Sequence, residues 1–164
     1  MVINSSSLTP GKFIPELRRC GITHIVWVPD SSSHFICEAV STEPDFTLIP
    51  VCREGEAIPI AVGLLLGGKK PIIVHQNTGL FDSGDSIRFA LDLDFPLLML
   101  IGYRGWQYGA PPTDSPAIYT EPILDAWGVK HYLVRTDADI EKVSRGYEQA
   151  QKTHKPVVIL LGRS

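Results

Sequence analysis

The stretch "EGEAIPIAVGLLLGGKKPIIVHQ", Glu54 to Gln76, sets two carboxylates at the head of one apolar run, breaks at a glycine pair, and starts a second apolar run. The first run carries no charge between Glu56 and Lys69 and reads as a buried helix that Gly67 and Gly68 bring to an end. The second, "PIIVHQ" (71–76), is short, β-branched and apolar on both faces, the pattern of a central strand in a parallel sheet. A helix that feeds straight into such a strand is the second half of a β-α-β unit, and "FTLIPV" (46–51) supplies the first strand.

The same alternation continues outward in both directions. Helices are expected over "TPGKFIPELRRCG" (9–21), with Thr9 as N-cap and Pro10 in the first position, over "SHFICEAVST" (33–42) and over "DSIRFALDL" (85–93). Two more follow over "PAIYTEPILDAWG" (116–128), kinked at Pro122, and over "DADIEKVSRGYEQAQK" (137–152). Strands are expected over "ITHIVWV" (22–28), "PLLMLIG" (96–102), "KHYLVR" (130–135) and "KPVVILL" (155–161). The pattern predicts an α/β fold: a doubly wound three-layer sandwich around a central, mostly parallel six-stranded sheet. Ligand groups in such sheets gather in the loops after the carboxyl ends of the strands. Four loops qualify: "PDSSSH" (29–34), "CREGE" (52–56), "QNTGLFDSGDS" (76–86) and "GYRGWQYG" (102–109).

Composition narrows the function. The chain has 164 residues, 44% hydrophobic and 20% charged, which suits one soluble globular domain. Fifteen basic against 18 acidic side chains give a net charge of −3, and no basic run stands out, so no nucleic-acid partner is expected. No apolar run reaches the ~18 residues of a membrane span, and "MVINSSSLTP" lacks the pattern of a signal peptide. Cys20, Cys37 and Cys52 show no CxxC spacing and are expected as reduced core thiols of a cytoplasmic chain. The five histidines show no HxH or HExxH spacing, so no metal ligands are expected, and His75 stands out only for its place at a strand end. The sequence lacks GxGxxG, GxxxxGK[ST] and GxSxG, which removes the ordinary dinucleotide, P-loop and hydrolase-elbow readings.

Three loops carry candidate chemistry. Acids at a helix start are favoured by the helix dipole, and that accounts for Glu56. Glu54 directly follows a strand, with the small residues Gly55, Ala57 and Ala61 beyond it, so a flat ligand could approach closely. Apolar surroundings disfavour a carboxylate's charged form, which fits an acid there to share a proton with a ring nitrogen. Gln76, Asn77 and Thr78 offer donors and acceptors ahead of the turn-former Gly79. Asp30 and the serines after it can cap the next helix, but one cap does not use Ser31, Ser32 and Ser33 together.

Taken together, "VPDS" (28–31), "CREGEAIPIAVGLLLGGKKPIIVHQNTGLFDSGDS" (52–86) and "PLLMLIGYRG" (96–105) resemble the pyrimidine-binding (PYR) domain of thiamine-diphosphate-dependent 2-oxo acid decarboxylases. The nearest branch contains sulfopyruvate decarboxylase alpha subunits and phosphonopyruvate decarboxylases. Glu54, Ala57 and Gly63 meet its Glu-x-x-Ala-x-x-x-x-x-Gly spacing, and Tyr103-Arg104-Gly105 stands where members often have Trp-Arg-Gly. The resemblance implies a single PYR domain over 1–164, with Glu54 as the catalytic acid that hydrogen-bonds the cofactor pyrimidine at N1′ and does not touch the substrate. It implies that Asn77, Thr78 and Gly79 contact the cofactor and that Asp30, Ser31, Gln76 and Asn77 line the substrate pocket. It requires nothing of Glu56.

The family's Gly-Asp-Gly motif ending in Asn, which holds the diphosphate and Mg²⁺, is absent from this chain. The resemblance therefore implies a separate beta subunit carrying a PP domain, in a heterotetramer or larger assembly, and a 2-oxo acid substrate such as sulfopyruvate or phosphonopyruvate. An acetolactate-synthase-like carboligase subunit and a non-catalytic PYR-like module that binds a partner are the alternatives.

Overall fold

The computed structural model describes residues 8–162, so the amino-terminal stretch considered above lies mostly outside the described residues. The elements are α1 (Pro10–Arg19), β1 (His24–Trp27), α2 (His34–Ser41), β2 (Thr47–Pro50), α3 (Glu54–Leu66), β3 (Pro71–Gln76), α4 (Asn77–Asp82), α5 (Gly84–Asp92), β4 (Leu98–Gly102), α6 (Pro116–Ala126), β5 (Lys130–Val134), a 3₁₀ turn (Asp137–Asp139), α7 (Glu141–Thr153) and β6 (Val157–Leu161). The six strands form one parallel sheet in the order β2-β1-β3-β4-β6-β5.

The sequence explains the layering. Every residue of β3, β4 and β6 is buried, as their two-faced apolar runs predict, while β2 and β5 form the partly exposed edges. Ile72, Val74, Leu98 and Leu100 face a core built from Phe13 and Leu17 of α1, Ile36 and Val40 of α2 and Val143 of α7. Ile73, Met99, Ile101 and Leu160 face the other core, with Ala57, Ile58 and Ala61 of α3, Ile87 of α5 and Leu124 of α6. At ~1.5–3 kcal/mol for each fully buried large aliphatic side chain, these two cores are the main stabilising term.

Strand order reverses between β1 and β3, one running out to β2 and the other toward β4. The loop after β1 and the start of α4 therefore flank a topological switch point, where such sheets open a crevice.

Three expectations need correction. The 76–86 stretch of turn-forming residues is not an open loop: β3 passes directly into the helical turns of α4, and only Ser83 separates α4 from α5. Tertiary bonds outweigh its poor helix propensity: the fully buried Asn77 side chain donates to the Arg104 carbonyl at 3.1 Å and to Thr120 Oγ1 at 3.0 Å. The apolar run of α3 is buried on one side only. Ala57, Ile58, Ala61 and Val62 point inward, while Pro59, Ile60, Gly63 and Leu66 face solvent, with Leu66 74% exposed. Likewise Cys20 and Cys37 are buried as expected, but Cys52 is exposed.

Candidate functional site

Glu54 is the first residue of α3, presented by an extended Arg53. Its side chain lies across Gly79 of α4: a Cβ there would stand 2.6 Å from Glu54 Cδ and 2.7 Å from its Oε1. Glycine is thus a steric requirement for the place this carboxylate occupies. Glu54 is half-buried, and its carboxylate takes no hydrogen bond or ion pair from the described residues.

The backbone beneath Glu54 is clamped from the neighbouring helices. Pro59 has no N–H to give the carbonyl four residues back, so the Gly55 carbonyl loses its helical partner. Ser86 of α5 donates its hydroxyl to that carbonyl at 2.9 Å. Asp82 of α4 takes the Gly55 N–H at 3.4 Å and pairs with Arg53 through Nε at 3.0 Å and Nη2 at 2.8 Å. That pairing holds the Asp82 carboxyl below its ordinary range. Sequence reading missed Asp82 and Ser86; the available signal was Pro59, whose spacing leaves Gly55 needing an outside donor.

Beneath α3 and α4, His75 is wholly buried, and burial pushes its pKa down from the ordinary value. Its Nδ1 lies 2.8 Å from the Gln76 carbonyl, which only accepts, so Nδ1 carries the proton and Nε2 is a bare acceptor. Among the described residues Nε2 has no partner, and neither has Oδ1 of the buried Asn77. Asn77 Nδ2 donates to the Arg104 carbonyl at 3.1 Å and to Thr120 Oγ1 at 3.0 Å. Gln76 Nε2 donates to Ser32 Oγ at 2.9 Å, and the Thr78 hydroxyl donates to Gln76 Oε1 at 3.2 Å.

The structure therefore brings Gln76, Asn77, Thr78, Gly79 and Glu54 to one edge, with the loop after β1 lying against them. It spends Asp30 differently from a ligand-facing acid. Asp30 Oδ1 takes the N–H groups of Ser32 and Ser33, and Oδ2 takes the Ser33 hydroxyl, so this carboxylate caps its own turn. Ser33 is buried, Ser32 packs where a Gly102 Cβ would otherwise sit, and Ser31 is exposed. Glu56 is exposed on the first turn of α3, in keeping with a helix-dipole role. Among the described residues no group of three or more His, Cys, Asp or Glu side chains is placed to hold a metal ion, and no helix is long and apolar enough to cross a membrane.

No protein-family model matches the chain. Three named proteins do. The chain is 31% identical to sulfopyruvate decarboxylase subunit alpha of Methanothermobacter thermautotrophicus over 148 residues, 88% of this chain and 90% of that one. It is 28% identical over 150 residues to the subunit of the same name from Methanocaldococcus jannaschii, covering 88% and 87% of the two chains. For the one from Methanococcus maripaludis the identity is 26% over 144 residues, 86% of each.

Among solved structures, benzoylformate decarboxylase from Polynucleobacter necessarius superposes with a TM-score of 0.74 at 19% identity, over 94% of this chain and 30% of that one. A 2-oxoglutarate:ferredoxin oxidoreductase from Magnetococcus marinus gives 0.75 at 18%, over 95% and 29%. A Mycobacterium smegmatis protein provisionally named as a thiamin diphosphate-dependent enzyme gives 0.70 at 21%, over 94% and 30%. At these identities the structural likeness is one of fold, and the chain spans under a third of each of those larger proteins.

Proposed function

The chain belongs to the family of sulfopyruvate decarboxylase alpha subunits, and from that premise we propose that it is the pyrimidine-binding half of a thiamine-diphosphate-dependent 2-oxo acid decarboxylase. Its substrate in this reading is sulfopyruvate, phosphonopyruvate or a similar 3-substituted pyruvate. One observation carries the reading: a carboxylate with no hydrogen-bond or ion-pair partner among the described residues, set over a glycine at the apolar mouth of α3.

The residues present fit the aminopyrimidine of that cofactor. Glu54 offers a single unspent carboxylate, and Gly79 beneath it leaves the space that this side chain occupies. When bound, thiamine diphosphate supplies an acidic thiazolium carbon and an electron sink for loss of CO₂. The work of this chain is to hold the ring. Glu54 accepts and returns a proton at N1′, and the Asp82–Arg53 pair and Ser86 keep the turn beneath it from shifting. The buried Asn77 fixes the start of α4, and with it Gly79. Of the substrate-facing residues expected from sequence, Ser31 is the one left exposed, while Gln76 holds the neighbouring Ser32 and Asn77 holds Arg104 and Thr120.

The family name specifies an alpha subunit, so a partner subunit completes the enzyme. We assign the diphosphate and Mg²⁺ chiefly to a beta subunit carrying a PP domain, in a heterotetramer or larger assembly. The solvent-facing ridge of Ile60, Gly63 and Leu66, on the helix that Glu54 begins, supports a subunit boundary along α3. The whole of 1–164 is read as one PYR domain, and its free thiols support a reducing, cytoplasmic setting.

The test is Glu54→Gln in the complex co-expressed with its beta partner, assayed for CO₂ release across 2-oxo acids. Turnover falls by about 10²-fold or more, the range of a lost acid–base group, while the melting temperature is unchanged. Near-normal turnover refutes the role of Glu54.

A further inference from the structure

A second recess opens on the carboxyl edge of the sheet, with a volume of about 420 Å³. Its walls are Ser31 and Ser32 from the loop after β1, and Arg104, Gly105 and Trp106 from the loop after β4. That volume lies within the ordinary span of ~300–1,000 Å³ for small-ligand sites.

The chemistry of the walls is one-sided. With Tyr103, whose hydroxyl is turned to Glu121, they carry a guanidinium, two serine hydroxyls and no carboxylate of their own. The nearest acid in the β1 loop, Asp30, is folded back onto Ser32 and Ser33. Asp114 engages Arg104 through Nε at 2.7 Å, and a guanidinium keeps four more N–H donors on its terminal nitrogens. Ser32 Oγ accepts from Gln76, so its own hydrogen remains to be donated, and Ser31 is exposed beside it. The recess therefore presents hydrogen-bond donors, those of a guanidinium held by Asp114 on one edge and those of two serines, which suit an oxyanion.

The position of Arg104 is fixed relative to Glu54. The Arg104 carbonyl accepts from Asn77, two residues before the glycine that seats Glu54. Gly105, in the left-handed region at φ +80°, turns the chain sharply so that its carbonyl accepts the Thr113 N–H at 2.8 Å. The Arg104–Asp114 pair closes the same loop base, and Trp106 packs against Gly162. The arginine side chain stays 54% exposed while its backbone is held.

We propose that this recess receives the tetrahedral oxyanion on C3 of the substrate, sulfonate or phosphonate, with Arg104 as the residue that selects for it. The inference rests on the decarboxylase reading and adds the residues that select the substrate class.

The test titrates the assembled alpha–beta complex calorimetrically with 3-sulfopropanoate, 3-phosphonopropanoate and propanoate, in wild type and Arg104→Gln. The variant weakens the C3 oxyanion ligands by about 10²-fold, the scale of one or two charge-assisted hydrogen bonds, and leaves propanoate binding as it was. The stronger of the two anionic arms tells sulfonate from phosphonate. With 3-sulfopyruvate as substrate the loss falls on KM more than on kcat. Ser31→Ala, at an exposed position, gives a several-fold effect of the same selectivity and covers the case of an unfolded Arg104 variant.

Equal weakening of all three ligands, or none, overturns the proposal. A complex that releases CO₂ from no 2-oxo acid sinks the decarboxylase reading instead, and the titration still decides whether the recess takes an oxyanion.

Discussion

Replacing Gly79 by alanine tests whether the place of one carboxylate matters separately from the stability of the fold. The added Cβ would sit 2.6 Å from Glu54 Cδ and closer still to its Cγ, against ~3.5–4.0 Å for an ordinary carbon contact, so the side chain must retreat by more than about 1 Å. Glu54 is half-exposed at a helix start and has room to move, whereas Gly79 lies inside α4 beneath it. Alanine gains ~1 kcal/mol over glycine in a helix, and an off-rotamer glutamate costs ~0.5–1.5 kcal/mol, so the two nearly cancel. The melting temperature should therefore stay within ~4 °C of wild type. A misplacement of ~1 Å at a catalytic group costs on the order of 10²-fold in rate, and that is the expected fall in CO₂ release by the reconstituted complex. Combined with Glu54→Gln, the alanine should add little further loss, because both changes act through the same carboxylate. Turnover within threefold of wild type, at an unchanged melting temperature, would refute the link between this glycine and the chemistry. A drop of ten degrees or so would show that the α4 backbone, and not Glu54, takes up the clash.

Further outcomes follow from other parts of the structure. Leu66→Lys on the exposed ridge of α3 should leave the melting temperature of this chain alone and weaken its association with the beta subunit at least tenfold by calorimetry; unchanged association would remove the ridge from the boundary. Burial lowers the folded-state pKa of His75 from 6.5, so below about pH 6.5 the unfolded chain takes up a proton that the folded chain refuses, and stability falls with acidification. The slope contributed by His75 is at most ~1.4 kcal/mol per pH unit, and urea midpoints at pH 7 and 5 should show a smaller acid loss in His75→Leu than in wild type. Of the three thiols, Cys52 should react with a disulfide reagent in the native protein, while Cys20, pushed up to about 11 by burial, and Cys37, pushed higher still, should react only on unfolding.

Periodicity made the sheet legible because the central strands had no alternative. β3 occupies Pro71–Gln76, the limits its apolar run sets, and β4 and β6 each lie within the runs that predict them. Glu54 was legible because an acid at the mouth of an apolar helix incurs a cost that capping alone does not account for. The parts that were illegible depend on distant partners. Asn77, Thr78 and Gly79 have turn-forming side chains, yet they start α4, because bonds from Asn77 to Arg104 and Thr120 hold that start. Asp30 offers a ligand-like carboxylate in sequence and spends it within three residues. The recess at Arg104 joins loops more than seventy positions apart, beyond the reach of any local pattern. α3 shows a different limit: hydrophobicity reports that Ile60 and Leu66 avoid water, but not which chain covers them. A run too greasy for one face of one domain is what a subunit boundary requires, and Glu54 begins the same helix. The excess apolarity of α3 and the unpaired carboxylate at its head then have one explanation, a partner that supplies both the cover and the rest of the site.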